Sequence, residues 1–208
     1  AQSGDAGKFA IIEGYKIART NIQFSLSASN DNCFAVTSWS KGEGKSTSTS
    51  NIAISFAKMD KKVVLLDCDL RRPNIHNLLK IENTAGMTSV LCNDKTFDQV
   101  VQREVLPNLD VLTVGTIPPN PSELLITPQM QRLLDKLSSQ CDIIIVDAPP
   151  CELVTDAAIL SRIVDSTIVV TAHKFTKKAN LQKTIKSIKN VGGRIAGVVL
   201  NKVPIDAK

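Results

Sequence analysis

The stretch Thr37–Asn51, TSWSKGEGKSTSTSN, decides how the rest of the chain is read. It follows an apolar run, CFAVTS (33–38), and leads into a segment with helical spacing, so a glycine-rich turn lies between a strand and a helix. In that setting GEGKST (42–47) is a phosphate-binding loop. Gly42 and Gly44 expose backbone N–H groups, the helix N-terminus adds positive potential, and Glu43 and Thr47 belong to the same binding loop. Lys45 is placed to reach the β- and γ-phosphates of a nucleoside triphosphate, and Ser46 to offer its hydroxyl to magnesium. A glycine turn used only for tight packing would not call for the Lys-Ser-Thr run that follows. A strict loop of this type carries glycine where this chain has Trp39.

Working outward, KVVLLDCD (62–69), DIIIVDAPP (142–150), STIVVTA (166–172) and RIAGVVLNKV (194–203) are apolar on both pleat faces, as strands of a parallel sheet covered by helices on both sides are. CFAVTS and LDVLTVG (109–115) make a fifth and a sixth strand. Helical patterns fall at 46–59, 128–139, 155–163 and 177–190, an amphipathic helix at 10–27 precedes the first strand, and TIPPNPSELL (116–125) is a proline-rich loop leading back into helix. This alternation specifies an α/β fold, a doubly wound and mostly parallel sheet flanked by helices, in a single domain over 1–208. Residues 1–9 read as a linker or an expression remnant.

In such sheets ligands bind beyond the carboxyl ends of the strands, where Lys45, Asp67, Asp69 and Asp147 fall. Asp147, after four aliphatic residues, reads as a carboxylate that holds magnesium directly or through water. Asp67 and Asp69 are two apart on a strand and share one face, with Cys68 on the other. One acid at a strand end is often a cap for the next helix; two on one face beside a triphosphate suggest a metal anchor and a proton acceptor. Arg71 and Arg72 are candidates for steadying phosphate charge or for surface pairing, and His76 reads as structural.

The bulk properties are those of an ordinary globular domain, with 208 residues, 43% hydrophobic and 22% charged. No apolar run approaches the roughly 18 residues of a membrane span. The five cysteines form no Cys-x-x-Cys pair, which speaks against a zinc site or disulfide framework and for a reducing cytosol. The net charge of +5 is unevenly placed: HKFTKKANLQKTIKSIK (173–189) has six lysines and no acid. This is a solvated helix face over a buried stripe of Leu181, Ile185 and Ile188, or a contact with an anionic membrane surface or acidic partner.

The whole constellation resembles the bacterial tyrosine kinases (BY-kinases), whose P-loop fold is unlike that of eukaryotic kinases. TSWSKGEGKST (37–47) resembles their Walker A motif, VVLLDCDLRRP (63–73) their Walker A′ and IIIVDAPP (143–150) their Walker B, while PPNPSELL (118–125) and GVVLNKV (197–203) also fit. The resemblance runs from about Glu13 to Val203. That family does not require the first glycine of the strict loop, so Trp39 is tolerable. The related ParA/MinD-type ATPases carry a signature lysine five residues before the loop lysine; here that residue is Ser40, with Lys41 one position off register.

The resemblance implies an ATP-dependent protein-tyrosine kinase of the autokinase type that uses Mg2+. Lys45 and Ser46 would bind phosphates and metal, and Asp69 and Asp147 would order the metal's shell. Asp67 would accept or orient the tyrosine proton, and Asn201 would touch the adenine. EGYKIAR (13–19) stands where the family has a Glu-x-x-Arg-x-x-Arg motif that joins subunits into rings, here Glu13, Lys16 and Arg19. Lys16 departs from the motif and loses the bidentate geometry of arginine. Family members usually carry a tyrosine-rich tail. This sequence stops at NKVPIDAK and its one tyrosine, Tyr15, reads as a packing residue, so strong autophosphorylation is not expected.

The resemblance further implies a two-span membrane activator of the polysaccharide co-polymerase type, fused or separate. It implies a cytoplasmic position at the inner face of the membrane and a role in capsular or extracellular polysaccharide export, with no nucleic-acid partner. The alternatives are a ParA/MinD-like positioning ATPase and a non-catalytic nucleotide-binding regulator of export.

Overall fold

The aliphatic runs pair side by side, because residues apolar on both faces leave no side for water. The computed structural model describes residues 2–29, 31–152 and 154–204. The six expected strands are β1 (Cys33–Ser38), β2 (Val63–Asp67), β4 (Leu109–Leu112), β5 (Ile143–Asp147), β6 (Ser166–Ala172) and β7 (Ile195–Asn201), and each pairing among them is parallel. A further strand, β3 (Gln102–Leu106), pairs antiparallel with β4, and the order across the sheet is β3-β4-β2-β5-β1-β6-β7.

The helices among the described residues are α1 (Gln2–Ser27), α2 (Lys45–Ala57), α3 (Ile75–Leu79), α4 (Met87–Leu91), α5 (Phe97–Val100), α6 (Pro121–Leu125), α7 (Pro128–Ser138), α8 (Asp156–Ile163) and α9 (Lys178–Asn190). Both α6 and α7 open on proline in the first turn, where a missing N–H costs nothing. The helix expected over 10–27 begins at Gln2 instead, so helix occupies most of the stretch expected as linker. The short helices α3, α4 and α5 lie between β2 and β3, where the sequence showed no sustained period.

Successive residues of β2 enter opposite layers. Val63 and Leu65 pack with Phe34, Val36, Ile52 and Phe56 beneath α2, and Ile22 and Leu26 of α1 close that layer, with half-buried Tyr15 against it. Val64, Leu66, Cys68 and Leu70 pack with Met87, Leu133, Leu137 and Leu160 on the face of α7 and α8. Cys68 thus points away from the face shared by Asp67, as the pleat requires. Strand β5 lies between β1 and β2, and its register sets Asp147 opposite both Val36 and Asp67. The phosphate loop and three carboxylates therefore meet at the carboxyl ends of the three central strands.

Candidate active site

Lys45 is the first residue of α2 and is buried, with its ammonium in a nest of oxygens. Nζ donates to Asp147 Oδ2 at 2.8 Å and to Ser46 Oγ at 3.1 Å, and lies 3.6 Å from Asp69 Oδ2. Asp147 also accepts from Ser46 Oγ at 2.7 Å and from Thr49 Oγ1 at 2.8 Å. Thr49 was not singled out in the sequence, although it lies one helical turn beyond Lys45 and shares its face.

Asp67 and Asp69 differ in access. Asp69 lines a cavity of about 620 Å³ together with residues of the phosphate loop, Arg72 and Asn74. Asp67 lies beneath it, 0% exposed, accepting backbone N–H bonds from Asp69 and Ile75, both at 3.2 Å. Burial pushes the Asp67 carboxyl up to about 7; the Asp147 charge opposite adds to the rise, while Lys45 and the Ile75 N–H oppose it. Burial also raises Asp69 above the ordinary carboxylate range, against the pull of Lys45. Burial disfavours the charged form of Lys45, but Asp147 and Asp69 outweigh it and hold the pKa above the ordinary lysine value.

The loop itself is held by contacts the sequence did not reveal. Gly42 and Gly44 have φ of 89° and 86°, the left-handed region where glycine is unstrained. The Glu43 side chain, 1% exposed, turns back into the protein. One oxygen accepts from Ser40 N at 2.9 Å and the other from the Thr176 hydroxyl. Lys202 Nζ donates to Gly42 O at 2.6 Å. Asn201, the residue expected at the adenine, reaches the loop: Nδ2 donates to Glu43 O at 2.9 Å and Oδ1 accepts from Lys202 N at 2.8 Å. Trp39 follows β1 directly, its carbonyl accepting from Glu152 N at 2.9 Å, so the position of the missing glycine is a backbone anchor.

Comparison with known proteins places this geometry. Residues 29–206 match the ParA family model, described as NUBPL iron-transfer P-loop NTPase. The tyrosine-protein kinase YwqD of Bacillus subtilis (strain 168) is 39% identical over 189 residues, spanning 91% of this chain and 80% of that protein. The putative tyrosine-protein kinase CapB of Staphylococcus aureus is 33% identical over 202 residues, spanning 97% and 89%. The chain belongs to the bacterial tyrosine-protein kinase family. Among solved structures, the kinase domain of the Escherichia coli tyrosine kinase ETK superposes with a TM-score of 0.91 at 31% identity, covering 95% of this chain and 77% of that one. The chimerical protein CapA2B2 gives 0.86 at 34% identity, covering 91% and 84%. Some relatives are much longer: the chain spans 25% of the putative tyrosine-protein kinase EpsB of Ralstonia nicotianae, at 35% identity.

As a member of a P-loop NTPase family, the domain binds nucleotide. Arg72 lines the cavity, whereas Arg71 is drawn elsewhere: Nε donates to buried Asp156 at 2.8 Å and Nη2 to Ser122 Oγ at 2.9 Å, joining the end of β2 to α6 and α8. At the N-terminal helix, Glu13 pairs with Lys16 at 2.7 Å and Arg19 donates to Ser55 O of α2 at 3.3 Å.

Proposed function

We propose that this domain is an ATP-dependent protein-tyrosine kinase acting in capsular or extracellular polysaccharide synthesis and export. The observation that carries the reading is the cluster of one ammonium and three carboxylates, Lys45, Asp67, Asp69 and Asp147, at the mouth of the phosphate loop in a chain of this family. Lys45 bears on the β- and γ-phosphates in exchange for Asp147. Among the described residues no three acid, cysteine or histidine side chains converge closely enough to hold a metal by themselves. A magnesium ion accompanying the nucleotide would be held by Ser46 and Asp147 together with phosphate oxygens, leaving Asp69, which the sequence also offered as a metal ligand, free to act on a proton. The ion would neutralise charge developing on the transferred group.

In the transfer, the tyrosine oxygen bonds to the γ-phosphorus and the bond from that phosphorus to the oxygen bridging to the β-phosphate breaks, releasing ADP. A phenol near its ordinary pKa of about 10 is a poor nucleophile at neutral pH, so its proton must go to a base. We assign that role to Asp69, which faces the cavity, rather than to Asp67, the acid favoured by sequence. Asp67 orients the turn through the Asp69 and Ile75 amides. The domain acts beside a membrane activator, fused or separate, at the inner face of the membrane. Assembly into rings through Glu13, Lys16 and Arg19 would require Arg19 to leave Ser55.

The test is transfer of labelled phosphate from ATP with magnesium to a tyrosine-rich peptide, with the chain joined to an activating segment. Label on tyrosine that is lost in Lys45→Met and Asp69→Asn, but only reduced in Asp67→Asn, supports the assignment. Loss in Asp67→Asn with full retention in Asp69→Asn reverses the two acids. Tight ATP binding without transfer, with nucleotide-dependent attachment to another surface, refutes the kinase reading.

A further inference from the structure

The positive charge of this protein is concentrated on one face. Six of its 25 basic residues lie at Lys174, Lys177, Lys178, Lys183, Lys186 and Lys189 with no acid among them, and the remaining 19 are met by 20 acidic residues. All six are exposed, and no ion pair among the described residues involves any of them. Thr184 and Ile188 are buried and Leu181 and Ile185 half-buried, which turns the lysines of α9 outward. Lys183, Lys186 and Lys189 follow one another at intervals of three, a spacing that sets like charges side by side and weakens a helix. Lys177 and Lys178 sit at the helix N-terminus, where cations are least favourable. An exposed aromatic side chain, Phe175 (58%), stands between Lys174 and Lys177, with Lys202 Nζ 5.9 Å from its ring.

From this we infer that the face formed by α9 and the 173–177 turn adsorbs directly to an anionic lipid bilayer. Charge complementarity fixes the sign of the partner, and the residue type fixes its class. Packed protein interfaces are depleted in lysine and favour arginine, yet this segment has six lysines and no arginine. Lysine keeps a strongly hydrated point charge on a flexible stem, suited to diffuse headgroup charge rather than a fixed bidentate partner. Phe175 supplies an apolar side chain at the edge of the basic face, as in interfacial membrane contacts. The face also adjoins the phosphate loop: Lys183 lies 5.7 Å from the Trp39 ring and Thr176 donates to Glu43. This contact is independent of the kinase reading and of any membrane partner.

The experiment is co-sedimentation of the full chain, without nucleotide, with vesicles of phosphatidylglycerol and phosphatidylcholine or of phosphatidylcholine alone, at low and high salt. Lys177→Glu/Lys178→Glu is compared with Lys58→Glu/Lys95→Glu. Each replacement lowers the charge by two, so both variants fall from +5 to +1 and differ only in where the charge was removed. The first also places acids at a helix N-terminus, which favours folding. Binding to the anionic vesicles alone, weakened by salt, is expected. With each lysine worth on the order of fivefold near such a surface, the α9 variant should bind at least 25-fold more weakly and the control within about threefold. Equal loss in both variants, equal binding to neutral vesicles, or tighter capture by a DNA duplex at the same salt overturns the inference.

Discussion

Replacing Asp67 by asparagine tests the electrostatics of the site without introducing a new shape. The protonated carboxyl and the amide are both neutral and nearly isosteric, but the amide has one acceptor oxygen and two N–H donors, so it can accept from only one of the Asp69 and Ile75 amides. The folded protein holds the Asp67 proton up to about pH 7, while an ordinary aspartate releases it near 3.8. In that window the folded state binds more protons than the unfolded chain, so wild-type stability falls as pH rises. Asparagine does not titrate and escapes the loss. A folded-state pKa of about 7 in place of 3.8 is worth about 4 kcal/mol, and the complete burial of Asp67 leaves no solvent screening to reduce it.

Asp67→Asn should therefore be about 1 kcal/mol less stable than wild type near pH 4, because one backbone N–H loses its acceptor, overtake it through pH 5 and 6, and be more stable by about 2–4 kcal/mol at pH 8. For a domain of this size that is a rise in melting temperature of roughly 5–15 °C. Urea unfolding at half-unit pH steps, in chelator and without nucleotide, measures it. Parallel pH profiles for the two proteins between pH 4 and 7 would show that Asp67 titrates as an ordinary aspartate in the folded state, and the account of the site would fail.

Other perturbations probe separate parts of the same geometry. Lys45→Met leaves Asp147 and Asp69 without their ammonium; it should cost about 3 kcal/mol at pH 8 and less at pH 5, read by the same unfolding assay, and should abolish nucleotide binding in calorimetry. Gly44→Ala places a Cβ 2.1 Å from Asn201 Nδ2 at a φ of +86°. It should weaken nucleotide binding more than tenfold, and adding Asn201→Ala should restore part of it, since that removes the collision but not the backbone strain. Arg71→Ala leaves the buried Asp156 carboxylate with Ser122 as its remaining side-chain donor. Stability should fall by about 3 kcal/mol with nucleotide affinity unchanged, and Arg71→Lys should recover only a part because lysine cannot form the two-nitrogen contact.

The sheet was legible in the sequence wherever both faces of a strand are buried, because Val63–Leu66 and Ile143–Val146 admit no polar residue. Strand β3 escaped for the opposite reason. Gln102–Leu106 lies at the edge with its side chains half-buried or exposed, so its pattern is polar. Contacts that no local pattern encodes hold it: Arg103 bonds Asp110 and Asp98, both at 2.6 Å. At the site, Lys45, Ser46, Asp69 and Asp147 were legible because strand ends and a glycine turn mark them. Of the holding residues, Thr176 follows β6, Asn201 is the last residue of β7 and Lys202 comes directly after it. Their proximity to Glu43 follows from parallel crossovers that bring distant strand ends together, a consequence of topology rather than spacing. Residue spacing puts Asp67 and Asp69 on one face, but only the turn beyond β2 decides which carboxylate reaches the cavity.

That turn also accounts for a cost the sheet bears. Asp67 and Asp147 are direct neighbours on adjacent parallel strands, and like charges so placed are destabilising. Two apolar residues there would satisfy both strands and strengthen the core. Lys45 offsets the repulsion in part, but one ammonium among three carboxylates leaves the ionised cluster short of positive charge. Under the proposed function, a divalent cation arriving with a nucleotide would supply what is missing. Ligand-free stability is thereby traded for affinity, and the two should move in opposite directions when any one of the three carboxylates is neutralised.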